Sequence, residues 1–579
     1  CLLVYFLKRR ALFHDALTRL LTPGLGIFLL LYVAVFLLDY RRGLTWWDEY
    51  SHWAPMAKET FRLNAFYCST GSALTMHADY PPVVTLFEYL WCKLSGGYDV
   101  TFLYRGLHLL SFSLFCPALS GLEWTAGEER IPHGRTAVQI VLAAVAIIVG
   151  CGLVPMECNF YTSIFNDPIL GLLLAFCLGT ILFGQTGSAY QLVSMCVGLV
   201  FITLTKQIAV FFVALSVAFF LLIALMEHRR KDTLPRIAHP ELWRSLFSTL
   251  LLVVVPALFF LSWRVVLRAN GITAGLEASA IDWRQLPGIL TDQSGELFQR
   301  LAAINFKAAF FTRALGTQPI NLSAFQLLFL FLAVFLLFGL YARRKETGIA
   351  PQRFSCLAAV AVLGGFAYAG LLLLTYLYHF GAYEGPRLAS YERYIGTYIL
   401  ALAGLTVMLI LRQFTHWQKT LGGKASVWML IAVCGLIVCM PPSQCDGLSP
   451  SLQAYSLSRD YTEDYSTLRS STGEDASILI VAQGDKGLAG YILRYETLPR
   501  TVDFISLGQP KYDGDVWTEN LRLDAFAARL KGYDYLYLYR TDSEFSTLYG
   551  ALFPTQTTVM DKQLYAVVQT SQGIVLQAR

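Results

Sequence analysis

The length, composition and charge of the chain exclude several classes of protein. Its 579 residues are 55% hydrophobic and 15% charged, with a mean hydropathy of +0.50, which is too apolar for an ordinary soluble or a disordered protein. The net charge of +5 is small, and the basic residues lie between apolar runs, which argues against a nucleic-acid surface. We therefore expect a polytopic membrane protein with a separate soluble domain.

Apolar runs recur through the first three-quarters of the chain, and each is near the ~20 residues that a helix needs to cross a bilayer. They predict at least eleven transmembrane helices, at 21–38, 104–122, 136–152, 168–183, 190–205, 208–226, 246–267, 324–341, 355–378, 395–411 and 427–440. Several runs are short, which favours tilted or broken helices around a cavity. The run Cys1 to Leu7, followed by Lys8-Arg9-Arg10, is typical of the end of an earlier helix, so we expect a preceding segment.

Basic clusters between the runs predict the orientation, because cytoplasmic loops carry an excess of Lys and Arg. Such clusters occur at 8–10, 130–135, 228–231, 343–345 and 412–424. If each predicted span crosses the membrane and the basic clusters are cytoplasmic, the segments between the other ends of the spans lie outside the cytoplasm. These segments are 39–103, 153–167, the junction around Lys206, 268–323, 379–393 and the tail after Pro442. We expect a multi-pass plasma-membrane protein, and the compact tail favours a bacterial one.

The tail differs in kind from the rest of the chain. Runs at 478–482, 502–505, 535–539 and 564–568 predict strands, and 487–495, 521–530 and 545–552 predict helices. This alternation is typical of a small α/β domain. We therefore divide the chain into a transmembrane catalytic domain, 1–442, whose first external loop is 39–103, and an extracytoplasmic α/β domain, 443–579.

An acidic cluster follows the apolar run at 21–38. Asp48 and Glu49 stand among indoles in Trp46-Trp47-Asp48-Glu49-Tyr50-Ser51-His52-Trp53. Carboxylates at a membrane boundary are functional candidates, and the indoles could stack on sugar rings. Two structural alternatives remain open: solvated loop acids and an aromatic belt at the membrane interface.

Further charged residues stand at the predicted external ends of spans. Asp167 precedes Pro168, Lys206 lies between two spans, and Arg393 opens a late span. Cations at a membrane edge suit a phosphate in the headgroup layer. A carboxylate base for an acceptor hydroxyl, together with cations that stabilise a phosphate leaving group, is the minimum for glycosyl transfer from a lipid phosphate.

The order of these motifs resembles the GT-C superfamily of membrane glycosyltransferases, and above all its protein O-mannosyltransferase and lipid A aminoarabinose transferase branch. The likeness covers roughly residues 20–440 as an ordered series. Its motifs are Asp48-Glu49-Tyr50, Tyr80-Pro81-Pro82, Arg105, Asp167-Pro168, Thr205-Lys206 and Arg393-Tyr394. The chain departs from the pattern at Asp79-Tyr80, where a basic residue usually precedes Pro-Pro, and at Gln207, where Gly commonly follows Thr-Lys.

The resemblance implies a GT-C-like α-helical fold and an inverting glycosyltransferase that uses a polyprenyl-phosphate-linked sugar and a glycan, lipid or protein acceptor. By resemblance, Asp48 is the general base, with Glu49 in a supporting or metal-holding role. Candidates for the donor phosphate are Lys206, Arg393, Arg105 and Tyr394. Supporting or substrate-binding candidates are Asp167, His52, Trp47, Tyr80 and Glu392. A divalent metal (Mg²⁺ or Mn²⁺) on Asp48, Glu49 and Asp167 is a further possibility.

Other interpretations of the same residues stay open. Asp167 could cap a helix ahead of Pro168, and Lys206 and Arg393 could be anchors whose long side chains reach the interface. His52 could bind a metal or be an ordinary polar residue. At the level of function, the rivals are a lipid or polysaccharide transporter and a catalytically inactive GT-C-like scaffold.

Overall fold

The computed structural model describes residues 22–74, 76–119, 125–126, 129–130, 133–231, 240–273, 281–316, 321–344, 349–421, 424–449, 456–554, 558–571 and 573–579. The predicted end of an earlier helix at 1–10 lies outside these residues. The chain divides into two compact units. The helical unit comprises Cys1–Tyr40, Asp79–Glu88 and Leu103–Pro450, and the mixed unit comprises Arg41–Ala78, Tyr89–Phe102 and Ser451–Arg579.

Helices dominate the described residues up to 449. In chain order they are α1 (Pro23–Leu38), α2 (Ala54–Leu63), α3 (Val83–Leu94), α4 (Val100–Ser113), α5 (Cys116–Leu119), α6 (His133–Cys151), α7 (Asn166–Phe183), α8 (Ala189–Thr203), α9 (Val210–Lys231), α10 (Pro240–Ala269), α11 (Leu286–Leu290), α12 (Leu297–Phe311), α13 (Ala324–Arg344), α14 (Pro351–Tyr378), α15 (Gly381–Arg387), α16 (Tyr391–Leu421), α17 (Lys424–Cys439) and α18 (Pro442–Cys445). A short antiparallel pair, β1 (Thr125–Ala126) and β2 (Glu129–Arg130), lies between α5 and α6.

Several of these helices are long and apolar enough to cross a membrane. Within the described residues there are six, at Asn166–Phe183, Gln207–His228, Trp243–Ala269, Ala324–Arg344, Pro351–Tyr378 and Tyr391–Phe414. A seventh span is possible if α17 and the helical segment after it, bent by 105°, cross together, and three shorter apolar helices accompany them. The helical multi-pass character is as predicted, while the count of at least eleven spans stays a prediction.

Helix α7 is held at its C-terminal end by a cation from α14. Arg353 Nη1 donates to the carbonyls of Leu182 and Gly184 at 2.8 and 2.9 Å, and its Nε donates to Glu227 of α9 at 2.9 Å. Terminal carbonyls of a helix lack partners within the helix, and a cation there also matches the helix dipole. This bond network fixes the axial position of α7, whose other end carries Asp167.

The mixed unit contains a six-stranded sheet of order β5-β4-β3-β6-β7-β8. Its strands are β3 (Ser477–Ala482), β4 (Thr501–Leu507), β5 (Thr518–Glu519), β6 (Tyr535–Arg540), β7 (Gln563–Thr570) and β8 (Gly573–Ala578), and its helices are α19 (Thr462–Ser471), α20 (Leu488–Thr497), α21 (Leu523–Leu530) and α22 (Ser543–Tyr549). Strands β3, β4, β5 and β6 are parallel, whereas β6, β7 and β8 pair antiparallel. The predicted α/β character of the tail is confirmed.

The central strand β3 is buried on both faces. Leu479 and Val481 belong to one apolar core, and Ile478 and Ile480 belong to the other. Successive side chains of a strand point to opposite faces, so a strand covered on both sides needs a continuous apolar run. Ser-Ile-Leu-Ile-Val-Ala supplies that run.

Segments from the first predicted external loop complete the mixed unit. A π-helical turn at Glu49–Trp53 leads into α2, and Tyr50 Oη lies 2.5 Å from Ser456 Oγ. Lys58 of α2 donates through Nζ to the carbonyl of Tyr495 in α20 at 2.7 Å, and the ammonium lies 4.4 Å from the centre of that ring. Residues more than 400 positions apart in sequence are thus packed in one unit.

Burial of Lys58 predicts a pH-dependent stability. Burial lowers the pKa of Lys58 to about 8, so between pH 8 and about 10 the unfolded chain binds more protons than the folded chain, and stability rises with pH. We expect Lys58→Met to remove up to about 3 kcal/mol of this rise. Thermal unfolding in detergent at pH 7 and pH 9.5 measures the difference. Lys531 is exposed, so Lys531→Met is the control and should keep the rise of stability with pH. If stability rises as steeply with pH in Lys58→Met as in the wild type, the rise does not come from Lys58.

Candidate functional site

Three charged side chains from separate elements of the helical unit form a buried cluster. Lys206 Nζ donates to both carboxylate oxygens of Asp167, at 2.7 and 2.8 Å, and Arg393 Nε lies 3.6 Å from Asp167 Oδ2. The side chains of Asp167, Lys206 and Arg393 are 3%, 13% and 10% exposed. The carboxylate therefore fixes two cations that are distant in sequence.

The three side chains of the cluster together carry a positive formal charge. One carboxylate and two cations leave a formal net charge of +1 from Asp167, Lys206 and Arg393. Aromatic rings cover the cations: Lys206 Nζ lies 5.3 Å from the centre of the Tyr394 ring, and the Arg393 guanidinium lies 4.7 Å from that of Phe165. Two cations held close together by one carboxylate are suited to bind an anion such as a phosphate.

The contacts bear on two of the interpretations left open, the helix cap at Asp167 and the interfacial anchor at Lys206. Helix α7 begins at Asn166 with Phe165 at the N-cap position and no side-chain capping bond. Asp167 is therefore in the first turn of α7 and does not cap it. The Lys206 ammonium is bonded to the buried Asp167 carboxylate, whereas the charged group of an interfacial anchor would extend into water.

A glycine sets the spacing of the two helices that carry Asp167 and Arg393. Gly171 lies one turn beyond Asp167 in α7, and Thr397 lies one turn beyond Arg393 in α16. A Cβ on Gly171 would lie 2.5 Å from the carbonyl oxygen of Thr397. Only a glycine permits this approach, so the close packing one turn below keeps Asp167 and Arg393 within ion-pair distance.

We expect Gly171→Ala to destabilise the protein by about 1–3 kcal/mol, because the added methyl group pushes α7 away from a backbone atom of α16. Thermal unfolding in detergent measures this effect. A Cβ on Gly370, in α14, would meet no other atom within 4 Å, so Gly370→Ala is the matched control and should be neutral or stabilising. Equal melting temperatures for the two variants would show that the close contact between α7 and α16 does not determine the stability of the protein.

The Tyr-Pro-Pro segment runs beside the Lys206 junction. The backbone N–H of Val83 donates to the carbonyl of Leu204 at 3.0 Å, and Gln207 Nε2 donates to Asp79 Oδ2 at 2.8 Å. The two positions at which the chain departs from the family pattern are therefore hydrogen-bonded to each other. Tyr80 lies within this segment, between Asp79 and Val83.

Adjacent acids in the mixed unit have different environments. Glu49 is fully buried, and its Oε2 accepts from the backbone N–H groups of Thr45 and Trp46 at 2.7 and 3.0 Å. Asp48 is half-buried and directly precedes the π-helical turn; such turns are frequent at functional sites. Glu49 is thus suited to hold the loop in place, and Asp48 is the more accessible carboxylate.

The remaining candidates have structural contacts of their own. The Arg105 guanidinium lies 4.3 Å from the centre of the Phe36 ring, and Glu392 pairs with Arg313 at 3.2 Å near the surface. His52 is buried, with its ring centre 4.7 Å from that of His77. Trp47 donates from Nε1 to the carbonyl of Lys486 at 3.3 Å.

Sequence reasoning missed a buried pair in the helical unit. His108 Nδ1 lies 2.6 Å from Asp39 Oδ2, and the two side chains are 2% and 0% exposed. A carboxylate at the end of one apolar run and an imidazole inside another were the available signals, because polar residues in apolar spans need partners. The pair joins the end of α1 to α4.

The described donors do not form a metal-ion site within either unit. Among the described residues there is no group of three or more His, Cys, Asp or Glu side chains that could hold one. Both oxygens of Asp167 accept from Lys206, and one oxygen of Glu49 accepts from two backbone N–H groups.

Comparison with known proteins gives likeness of structure only. No family model matches the chain, and no curated protein matches it in sequence. The structure is similar to that of ArnT from Cupriavidus metallidurans bound to undecaprenyl phosphate, with a TM-score of 0.45, 13% identity, and coverage of 95% of this chain and 97% of that one. It is also similar to the oligosaccharyltransferase AglB from Archaeoglobus fulgidus in complex with an inhibitory peptide and a dolichol-phosphate, with a TM-score of 0.39, 11% identity, and coverage of 83% and 64%. This chain's own residues carry the function proposed below.

Proposed function

We propose that this protein is a membrane glycosyltransferase that moves a sugar from a polyprenyl-phosphate carrier to an acceptor hydroxyl or amine. The observation that carries the proposal is the buried cluster of Asp167, Lys206 and Arg393, in which one carboxylate holds two cations. A lipid phosphate brings the complementary charge to a site among apolar helices. Asp167 acts as a positioning residue that holds both cations.

The proposed reaction is a single displacement at the anomeric carbon. Asp48 takes the proton of the acceptor group, whose oxygen or nitrogen forms the new bond to the anomeric carbon. The bond between that carbon and the phosphate oxygen breaks, and the electron pair leaves with the phosphate. Lys206 and Arg393 stabilise the added negative charge, and the configuration at the anomeric carbon is inverted.

Sidedness is part of the same proposal. The basic clusters favour a cytoplasmic face opposite the one that carries Lys206 and Arg393. We therefore place the reaction on the extracytoplasmic face of a bacterial plasma membrane, where the acceptor is a glycan, lipid or protein of the cell envelope. Reaction of a cysteine introduced at Arg313, in a variant whose native cysteines are replaced by alanine, with a membrane-impermeant maleimide on intact cells tests the sidedness. Labelling only after lysis would overturn it.

The test of activity is glycosyl transfer by the purified protein in liposomes. Sugars carried on undecaprenyl phosphate and on dolichyl phosphate, each radiolabelled, are supplied with crude envelope acceptor. Transfer to acceptor, with release of the lipid phosphate, supports the proposal and identifies the donor. A folded protein that binds lipid phosphate and transfers nothing would overturn it in favour of a transporter or an inactive scaffold.

A further inference from the structure

A cavity of about 320 Å³ lies within the mixed unit, at the lower end of the ~300–1,000 Å³ typical of small-molecule sites. It opens at the carboxyl ends of β3 and β4, beside Ala482 and Ser506, and next to the start of α20. In open α/β sheets, ligands bind in the crevice beyond the carboxyl ends of the parallel strands. The cavity lies on this edge of the sheet, with lining residues from β3, β4 and β5.

The wall of the cavity is aromatic. Tyr491, Phe504 and Trp517 line it, with ring centres 4.8 Å apart for Tyr491 and Phe504 and 6.3 Å apart for Phe504 and Trp517. Trp47 packs edge-on against Tyr491 at 4.7 Å and against Trp517 at 6.2 Å. The indole that the sequence suggested for sugar stacking thus supports the rings of this cavity.

Two glycines at the start of α20 leave room for these rings. A Cβ on Gly490 would lie 2.1 Å from Phe504 Cγ, and a Cβ on Gly487 would lie 3.1 Å from the Trp517 indole. Gly487 also has a φ of +86°, which favours glycine. The rings of Phe504 and Trp517 therefore pack directly against the backbone at Gly490 and Gly487, where a larger side chain would clash with them.

Polar groups surround the aromatic wall. Asp485, Glu519 and Ser506 line the cavity, and carboxylates and hydroxyls accept hydrogen bonds from hydroxyl groups of a ligand. Arg494 also lines the cavity as a cationic donor; it bonds to Asp503 at 3.0 Å and lies over the rings of Tyr491 and Phe504. Aromatic faces bordered by acceptors and one donor suit a molecule with apolar C–H faces and many hydroxyl groups, which both accept and donate hydrogen bonds.

We infer that this cavity binds a sugar ring of the acceptor, so that the acceptor is a glycan or a glycolipid. The inference rests on the proposed function, because Trp47, which supports the wall, is covalently adjacent to the proposed base Asp48. A sugar held on Tyr491, Phe504 and Trp517 would be bound by the same unit that supplies the base. The acceptor would then be selected by the mixed unit.

The test is saturation-transfer NMR on the full chain in detergent, with methyl glycosides of glucose, galactose, mannose and N-acetylglucosamine. We expect saturable transfer to at least one glycoside and an at least tenfold weaker signal in Trp517→Leu. Val516 lines the same cavity and is 57% exposed, so Val516→Trp should fill the opening without disturbing the core and weaken the signal equally. The exposed Trp283 gives the control Trp283→Leu, which should bind as the wild type does.

The outcomes separate this inference from the proposed function. Binding retained in Asp48→Asn and lost in Val516→Trp supports the sugar site, even if no transfer is detected with any donor. Transfer activity in a protein that binds none of the glycosides, or equal binding in wild type and Val516→Trp, overturns the sugar site and leaves the proposed function standing. In the transfer assay, we expect Val516→Trp to raise KM for the acceptor about tenfold and to leave KM for the donor unchanged.

Discussion

Replacement of Asp48 by Asn is expected to lower the rate of glycosyl transfer by about 10²–10⁴-fold, the usual contribution of a general base. Asn has nearly the same shape as Asp but cannot accept a proton from the acceptor. Asp48 is half-buried and directly precedes the π-helical turn at Glu49–Trp53, so the substitution should not disturb packing. Donor binding should persist, because the proposed phosphate ligands are Lys206 and Arg393.

The neighbouring acid gives the contrast that makes the test specific. Glu49 accepts from two backbone N–H groups while fully buried, so Glu49→Gln should cost about 1–3 kcal/mol of stability through weakened hydrogen bonds. Radiolabel transfer and thermal unfolding are measured on both variants. Full activity in a folded Asp48→Asn protein would remove Asp48 from the mechanism. Equal loss of stability in both variants would make Asp48 a structural residue.

The strands of the mixed unit could be predicted where the local pattern matches the packing. Strand β3 is a continuous apolar run, as its burial on both faces requires, and it was found from sequence. Helix α19 was missed, because its residues are mostly polar and its buried face depends on distant partners. Asp464 of α19 accepts from Tyr537 Oη at 2.6 Å and from Lys562 Nζ at 2.7 Å, and no local pattern reports such bonds.

The same limit applies to the candidate site. The sequence singled out Asp167, Lys206 and Arg393 individually, because charges at the ends of apolar runs are conspicuous. Their mutual pairing depends on how α7, the junction before α9, and α16 pack. The bond between Asp79 and Gln207 spans 128 positions and carries no local signal at all. Such contacts come from tertiary structure, and Gly171 shows how one residue without a side chain can determine them.

The Lys206→Met variant is expected to lower kcat/KM for the lipid-linked donor by at least about 100-fold. Lys206 Nζ is bonded to Asp167 and is 13% exposed, so its loss reduces the formal charge of the cluster from +1 to zero. A phosphate would then meet one cation and one carboxylate, and repulsion from Asp167 would offset the attraction of Arg393. Charge-assisted bonds to phosphate contribute more than neutral ones, especially away from water.

A second ion pair near the start of α16 provides the control for Lys206→Met. Arg313 and Glu392 pair at 3.2 Å, with side chains 58% and 31% exposed, and exposed pairs contribute only about 0–1 kcal/mol. Arg313→Gln also removes one positive charge, but from outside the cluster, so donor kinetics should change less than about threefold. Since Met leaves the Asp167 carboxylate buried beside Arg393 alone, a Lys206→Met/Asp167→Asn double variant should recover stability while remaining defective with donor. Recovery of donor kinetics by the double variant would show that Lys206 serves only to neutralise Asp167.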